Sequence, residues 1–246
     1  MAGQVYDGIG EAFEGFKTLP LARYGEVPAV LALVGDVAGR SVLDVASGTG
    51  FYSRELRRRG ASRVLGVDIS SAMVDAARAF EERQPLGVAY QVGDVAELPP
   101  FEEPFDLAVA VQAFNYAPDV ATVERICRGV HRSLVAGGEL VVFAQSPDFR
   151  FDGPPLGKYG FRCERAGEPS EVGPRVRVTA LLEPPISFEA NPPSREVYEK
   201  ALGAAGFTGI EWVPLEVSAE GVREFGAEYW ADLRANPPLV LLRCRA

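Results

Sequence analysis

Apolar positions along this chain follow two alternating rhythms. Short β-branched and aliphatic runs, such as Val42-Leu43-Asp44-Val45 and Leu107-Ala108-Val109-Ala110-Val111, read as strands. Between them, apolar residues recur at helical spacing. The pattern predicts strands over 41–46, 63–68, 88–93, 105–110 and 139–144, and helices over 28–34, 50–59, 71–82 and 120–134. Pro28 suits the first turn of its helix, where a missing N–H costs nothing. In the last of these helices Val123, Ile126, Val130 and Leu134 make one stripe. Strands alternating with helices of this length mean βαβ units and a parallel sheet wound on both faces. The strands are apolar on both sides, as burial on both faces requires.

After Ala144 the rhythm changes. Residues 145–173 are rich in Pro, Gly and charge yet hold Phe149, Phe151, Tyr159 and Phe161, the composition of a lid or binding loop. Residues 175–182 and 186–191 alternate like strands around Pro184-Pro185, predicting an added antiparallel pair. Ser194 caps a helix that ends at Gly206, and strands over 209–217 and 239–245 close the chain. At the other end, residues 1–25 place Tyr6, Phe13, Phe16 and Tyr24 among glycines and acids, predicting a short helix and loop lying over the rest. The expectation is one domain, 1–246. It divides into an N-terminal cap (1–38), a core (39–144), a lid or substrate insertion (145–193) and a C-terminal helix with strands (194–246).

Composition narrows the function classes. A net charge of −9 argues against nucleic acid or an anionic membrane surface as partner. Cys127, Cys163 and Cys244 are far apart, with no CxxC spacing and no histidine cluster, so neither a disulfide framework nor a metal site is expected. No basic stretch followed by an apolar core opens the chain and no long apolar run occurs, so a reducing cytoplasm is the expected location. Arginine far outweighs lysine, which is only Lys17, Lys158 and Lys200, as in a GC-rich bacterial gene.

The candidate chemistry lies in Asp44-Val45-Ala46-Ser47-Gly48-Thr49-Gly50, a glycine turn between the first core strand and a helix. Such a turn lets a ligand approach bare backbone at a helix N-terminus. A dinucleotide fingerprint would need a third glycine where Ser53 stands, and a phosphate-binding Walker loop would need a Gly-Lys pair that is missing.

The segment Asp44-x-Ala46-x-Gly48-x-Gly50 instead resembles motif I of the class I S-adenosylmethionine (SAM)-dependent methyltransferases. Four further stretches resemble that family in the same order: Val67-Asp68-Ile69-Ser70, Gly93-Asp94-Val95, Phe105-Asp106-Leu107 with Val111-Gln112-Ala113, and Leu134 through Gly137-Gly138 to Leu140. Ala136 replaces the proline usual in the last. Tyr6-Asp7-x-Ile9, Gly50-Phe51-Tyr52, Asn115-Tyr116 and Arg132-Ser133-Leu134 resemble more narrowly the small-molecule enzymes of the toxoflavin-biosynthesis type.

The resemblance implies a seven-stranded, mostly parallel Rossmann-like sheet, doubly wound, with SAM as cofactor and S-adenosylhomocysteine (SAH) as product. It implies that Gly48 and Gly50 admit the methionine moiety beside Ala46, and that Asp44 acts on the SAM ammonium, directly or through water. Asp68 would take the ribose hydroxyls as charge-assisted hydrogen bonds, and Asp94 the adenine amine. Ile69 would pack on adenine, Met73 and Val95 would join it there or belong to the core, and Gln112 would line the sulfonium. Tyr6 and Tyr24 would contact the SAM carboxylate or substrate, or simply pack the cap down.

No catalytic residue emerges. His131 falls off the stripe of its helix and away from the strand C-termini where ligands bind. If the acceptor needs a base, Asp148, Tyr159, Glu164 and Glu228 are the candidates. The N-terminal aromatics, 149–161 and 225–230 are expected to wall the pocket around a small planar or apolar molecule. The implied function is methyl transfer from SAM to an O, N or C atom of a small metabolite in specialised, antibiotic-type metabolism. Two alternatives stand beside it: an enzyme of this fold that uses SAM without transferring methyl, for example a cyclase, and an NAD- or nucleotide-binding protein. Monomer and homodimer are equally open.

Overall fold

The computed structural model describes residues 15–246. Alternating side-chain direction along each core strand sorts the apolar residues onto two faces. In β1 (Ser41–Val45) and β4 (Phe105–Val111), Val42, Leu107 and Val109 face one way, while Leu43, Val45, Ala108 and Ala110 face the other. Helices cover both. On the first face Val30, Leu31 and Val34 of α1 (Val27–Val34), Leu56 of α2 (Phe51–Arg58), and Val74 and Ala77 of α3 (Ser71–Arg83) complete a core with Phe143 and Leu241. On the second, Val123, Ile126 and Val130 of α4 (Val120–Ser133) join Tyr198 and Leu202 of α5 (Arg195–Ala205). Asp119 and Ser194 cap these two helices by accepting from the backbone N–H of Thr122 and Val197.

The main sheet has seven strands in the order β3-β2-β1-β4-β5-β10-β9, with β2 Arg63–Asp68, β3 Ala89–Val92, β5 Leu134–Gln145, β9 Thr208–Pro214 and β10 Leu239–Arg245. Strands β1 to β5 pair in parallel, and β10 enters antiparallel between β5 and β9. This is the doubly wound, mostly parallel sheet expected. The boundary that differs most is the start of β5. β5 begins at Leu134, which pairs with Phe105, and the ladder then shifts register so that Glu139 meets Leu107. The intervening Val135–Gly138 bulges outward, with Gly137 in the left-handed region at φ 77°.

The insertion after β5 is a second sheet rather than a loop with a pair of strands. It has three antiparallel strands in the order β6-β7-β8: β6 Phe161–Arg165, β7 Val176–Ala180 and β8 Ile186–Ala190. Two short helices between β9 and β10, α6 (Ala219–Phe225) and α7 (Ala231–Ala235), also lay outside the sequence pattern, being too brief to show periodicity. Ahead of α1 the chain makes a 3-10 turn at Gly15–Thr18 and a π-helical turn at Ala22–Glu26. Among the described residues no helix is long and apolar enough to cross a membrane.

Candidate active site

Ligands in open parallel sheets bind beyond the strand C-termini, where the strand order reverses. Here that point lies between β1 and β4, and a cavity of about 490 Å³ opens over it. Its floor is the turn after β1. Ala46 takes φ 59°, Gly48 54° and Gly50 79°, a run of left-handed residues that turns the chain sharply into α2. Gly50 caps that helix directly over the Tyr90 ring, whose hydroxyl lies 3.4 Å from its carbonyl oxygen, so no side chain fits there.

Asp44 lies under the turn at 1 % exposure. Its Oδ2 accepts a 2.5 Å hydrogen bond from the Ser53 hydroxyl, which gives the residue standing in place of a third glycine a definite task. Burial first, with a contribution from the Asp68 charge, pushes the Asp44 carboxyl up to about 6. Asp68 ends β2 and ties it to the turn, its two oxygens accepting from the Gly48 N–H at 2.8 Å and the Ser70 N–H at 2.9 Å. Burial raises its carboxyl despite these bonds. Asp94 follows β3 and accepts from the Ala96 N–H at 2.8 Å. Ile69, 49 % exposed, lines the cavity, as do Met73, Val95 and Asp94.

The structure therefore brings Asp44, Ala46, Gly48, Asp68, Ile69, Met73, Asp94, Val95 and Gln112 to one cavity, with Gly50 immediately behind it. Tyr6 lies outside the described residues. Tyr24 is elsewhere: its buried ring packs edge-on against Phe225 and Trp230, and its hydroxyl donates to Glu224. The expected walls need the same correction. Phe225, Tyr229 and Trp230 cluster with Tyr24 and Tyr159 away from the cavity lining, and Phe149 and Phe151 pack on each other; of that loop Leu156 and Phe161 reach the cavity.

None of the candidate bases lines it. The Tyr159 hydroxyl is spent on the Tyr229 carbonyl and the Leu233 N–H, Asp148 pairs with Arg195, and Glu164 and Glu228 are exposed. His131 packs its ring on Phe207, away from the cavity.

Several cavity residues lay outside the sequence reasoning. Lys17, on the turn before α1, pairs with the buried Glu26 carboxylate, which also accepts from the Tyr52 hydroxyl at 2.8 Å. The Lys17 ammonium sits over the Tyr52 ring at 4.7 Å and the Phe51 ring at 5.3 Å. Irregular turns leave no periodicity by which to find such a pair. The roof is β6-β7-β8. Cys163, Val178 and Phe188 stand in register across its three strands, and all three face the cavity with Phe161. The next row, Glu164, Arg177 and Glu189, faces outward and is charged. The alternation Phe-Arg-Cys-Glu-Arg at 161–165 is the signal that marks β6 in the sequence.

The cavity is thus divided by chemistry. Its charged residues, Lys17, Glu26, Asp44, Asp68 and Asp94, come from the N-terminal turns and the ends of β1 to β3. The far half has Phe16, Leu156, Phe161, Cys163, Val178, Phe188 and Leu239. An ammonium partner and carboxylates of both Asp44 and Glu26 at one end suit an amino-acid moiety. The exposed Ile69 beside Asp94 suits a flat heterocycle with an exocyclic amine. These residues fit SAM.

Residues 42–138 match the family model described as methyltransferase domain. Over those residues the core is similar to methyltransferase domains. SAM is the cofactor this domain and fold imply, with SAH as product. Among curated proteins, the chain is similar to ubiquinone biosynthesis O-methyltransferases. It is 30 % identical to that of Coxiella burnetii over 112 residues, 46 % of each chain. It is 34 % identical to that of Alkalilimnicola ehrlichii over 116 residues, 47 % of this chain and 45 % of that one. The matched region thus spans about half the length of these relatives.

Solved structures match almost end to end. A SAM-dependent methyltransferase from Mesorhizobium loti gives a TM-score of 0.66 at 23 % identity, over 94 % of this chain and all of that one. The CcbJ methyltransferase of Streptomyces caelestis gives 0.68 at 18 %, over 98 % and 97 %. The [4+2]-cyclase SpnF gives 0.65 at 20 %, over 99 % and 95 %. At these identities the likeness is one of fold.

Proposed function

We propose that this protein transfers a methyl group from SAM to a small, largely apolar metabolite of specialised metabolism. The observation that carries the reading is the division of one cavity into a charged half beside the motif I turn and an apolar half under the roof sheet. Gly48 and its neighbours supply bare backbone to the methionine moiety, Asp44 and Lys17 its two charges, Asp68 the ribose partner, and Asp94 with Ile69, Met73 and Val95 the adenine slot. When bound, SAM would supply an electrophilic methyl carbon on a cationic sulfur, with the neutral thioether of SAH as the leaving group.

The protein's own task is then alignment and exclusion of water, which demands no dedicated acid or base. In this reading residues 145–193 form the roof over the acceptor, and residues 15–38 close the methionine end. A second reading, SAM-assisted cyclisation without methyl transfer, keeps its place because a cyclase shares this fold over nearly the whole chain.

Incubation with methyl-labelled SAM and a panel of phenols, heterocycles and amines decides between them. Labelled product and stoichiometric SAH are expected with a true acceptor. An altered acceptor with SAM intact selects the second reading, and absence of a SAM-induced rise in melting temperature removes both.

A further inference from the structure

At the junction of floor and roof, the cavity holds a polar feature that the binding of SAM does not absorb. Gln112 follows β4 in the left-handed region at φ 57°, a conformation that non-glycine residues hold at functional sites at some cost in strain. Its N–H donates to the Phe143 carbonyl at 2.7 Å, which locks it to the sheet. Its side-chain oxygen accepts from the Asn115 amide. Asn115 is 1 % exposed, and its carbonyl Oδ1 is buried with no hydrogen-bond partner. Both residues line the cavity.

The segment is also fastened to the roof: the Asn191 N–H, just past β8, donates to the Asn115 backbone carbonyl at 2.6 Å, and the Asn191 amide reaches the Ala117 carbonyl at 3.3 Å. A buried amide oxygen without a donor is unfavourable in an otherwise well-paired interior. It is tolerated where a ligand supplies the donor. In this orientation the Asn115 N–H2 is spent on the Gln112 side-chain oxygen, so the group left over at Asn115 is an acceptor.

We infer that the Gln112–Asn115 amide pair is the hydrogen-bonding anchor of the acceptor, and that the acceptor is an uncharged, mostly apolar molecule presenting one O–H or N–H donor to it. The inference rests on the proposed reading of the far half of the cavity as the acceptor site. The roof row Cys163, Val178 and Phe188 supplies the apolar contact. No carboxylate, ammonium or imidazole of the described residues lines that half, so a charged acceptor finds no counter-ion there. An amide oxygen is too weak a base to remove a proton, so Asn115 acts as a positioning residue.

The test uses the full chain and three probes of one shape: 2-naphthol, 2-fluoronaphthalene, which lacks the donor, and 2-naphthoate, which is an anion. Affinities are measured by fluorescence with and without saturating SAH. The wild type is expected to bind 2-naphthol about tenfold more tightly than either of the others, a difference of about 1.4 kcal/mol. Asn115→Leu is expected to bring naphthol and fluoronaphthalene to equal affinity while the fluoronaphthalene affinity holds. Asn115→Asp, which keeps the shape and an accepting oxygen, is expected to retain the preference.

An undiminished preference in Asn115→Leu overturns the proposal. So does naphthoate binding tighter than naphthol, or no naphthol binding by a wild type that SAH stabilises. The SAH-induced rise in melting temperature is read separately: its absence in the wild type refutes the cofactor reading, whereas its presence with no naphthol preference refutes only the anchor.

Discussion

Asp44 is where single-residue chemistry bears most directly on function. Its carboxyl ordinarily titrates at 3.8, and burial in the folded chain pushes it up to about 6. A raised folded value means that the native state holds the extra proton. The free protein therefore gains stability below about 4 and loses it as pH rises toward 6, by roughly 3 kcal/mol at most. A cationic ligand reverses the preference, because an ammonium beside Asp44 favours the ionised form. SAH affinity is thus expected to be constant above pH 7 and to fall as the pH drops through 6, with a proton released on binding near pH 5. Calorimetry in two buffers of different ionisation enthalpy measures both. Asp44→Asn is expected to bind weakly with a flat pH profile; a persistent slope in that variant would assign the titration to another group. Lys17 allows a complementary measurement. If its ammonium faces the amino-acid carboxylate, Lys17→Met lowers SAH affinity about tenfold, in keeping with a charge-assisted bond, and leaves 5′-methylthioadenosine, which lacks that carboxylate, unaffected. Equal losses for both ligands would count against the assignment.

Secondary elements show how the site is held and how far it was legible beforehand. Regular elements wrote themselves into the sequence: the Val123–Ile126–Val130 stripe, the Ser194 cap, the left-handed Gly206 at φ 106° and the five parallel strands all appear where periodicity and capping place them. Elements whose partners are distant did not. β6 lies in an aromatic, glycine-rich stretch, where its five-residue alternation is too brief to stand out before pairing with β7. The aromatic segment 225–230 looked like a pocket wall because a ring's composition does not say which way it faces. Its observed role is structural. Trp230 is fully buried, stacked on Tyr159 at 5.3 Å and 7°, edge-on to Tyr24 at 6.3 Å, and donates its indole N–H to the Gly221 carbonyl at 2.9 Å. This cluster joins the turn before α1, the root of the roof and α6. Trp230→Ala is accordingly expected to cost about 3–5 kcal/mol in urea denaturation. SAH binding should survive in the folded fraction, because Trp230 does not line the cavity. A loss under 1 kcal/mol would mean that the cluster collapses around the gap or adds little.

At the scale of the whole molecule, the sequence motifs located the charged half of the cavity and left the apolar half nearly blank. Asp44, Gly48, Asp68 and Asp94 are carried by local strand–turn–helix units, each readable in a few residues. Lys17, Cys163, Val178 and Phe188 converge only after distant segments fold over the sheet. The resulting distribution of charge has a kinetic consequence. Among the described residues that line the cavity, the carboxylates Glu26, Asp44, Asp68 and Asp94 belong to its charged half, and burial holds the Cys163 thiol up at about 12. If the acceptor is a phenol, its proton must leave to solvent before or after transfer, and reactivity is governed by the acceptor's own ionisation. Across a series of phenols of increasing acidity, the midpoint of the pH–rate profile above pH 7, where Asp44 is already ionised, is expected to move in step with the phenol. A protein base would instead hold that midpoint at one pH for every member of the series. Initial rates of SAH formation at saturating SAM distinguish the two: a fixed midpoint would reveal a proton acceptor in the site, whereas a moving one leaves the roof, the floor and the amide pair with alignment as their whole contribution.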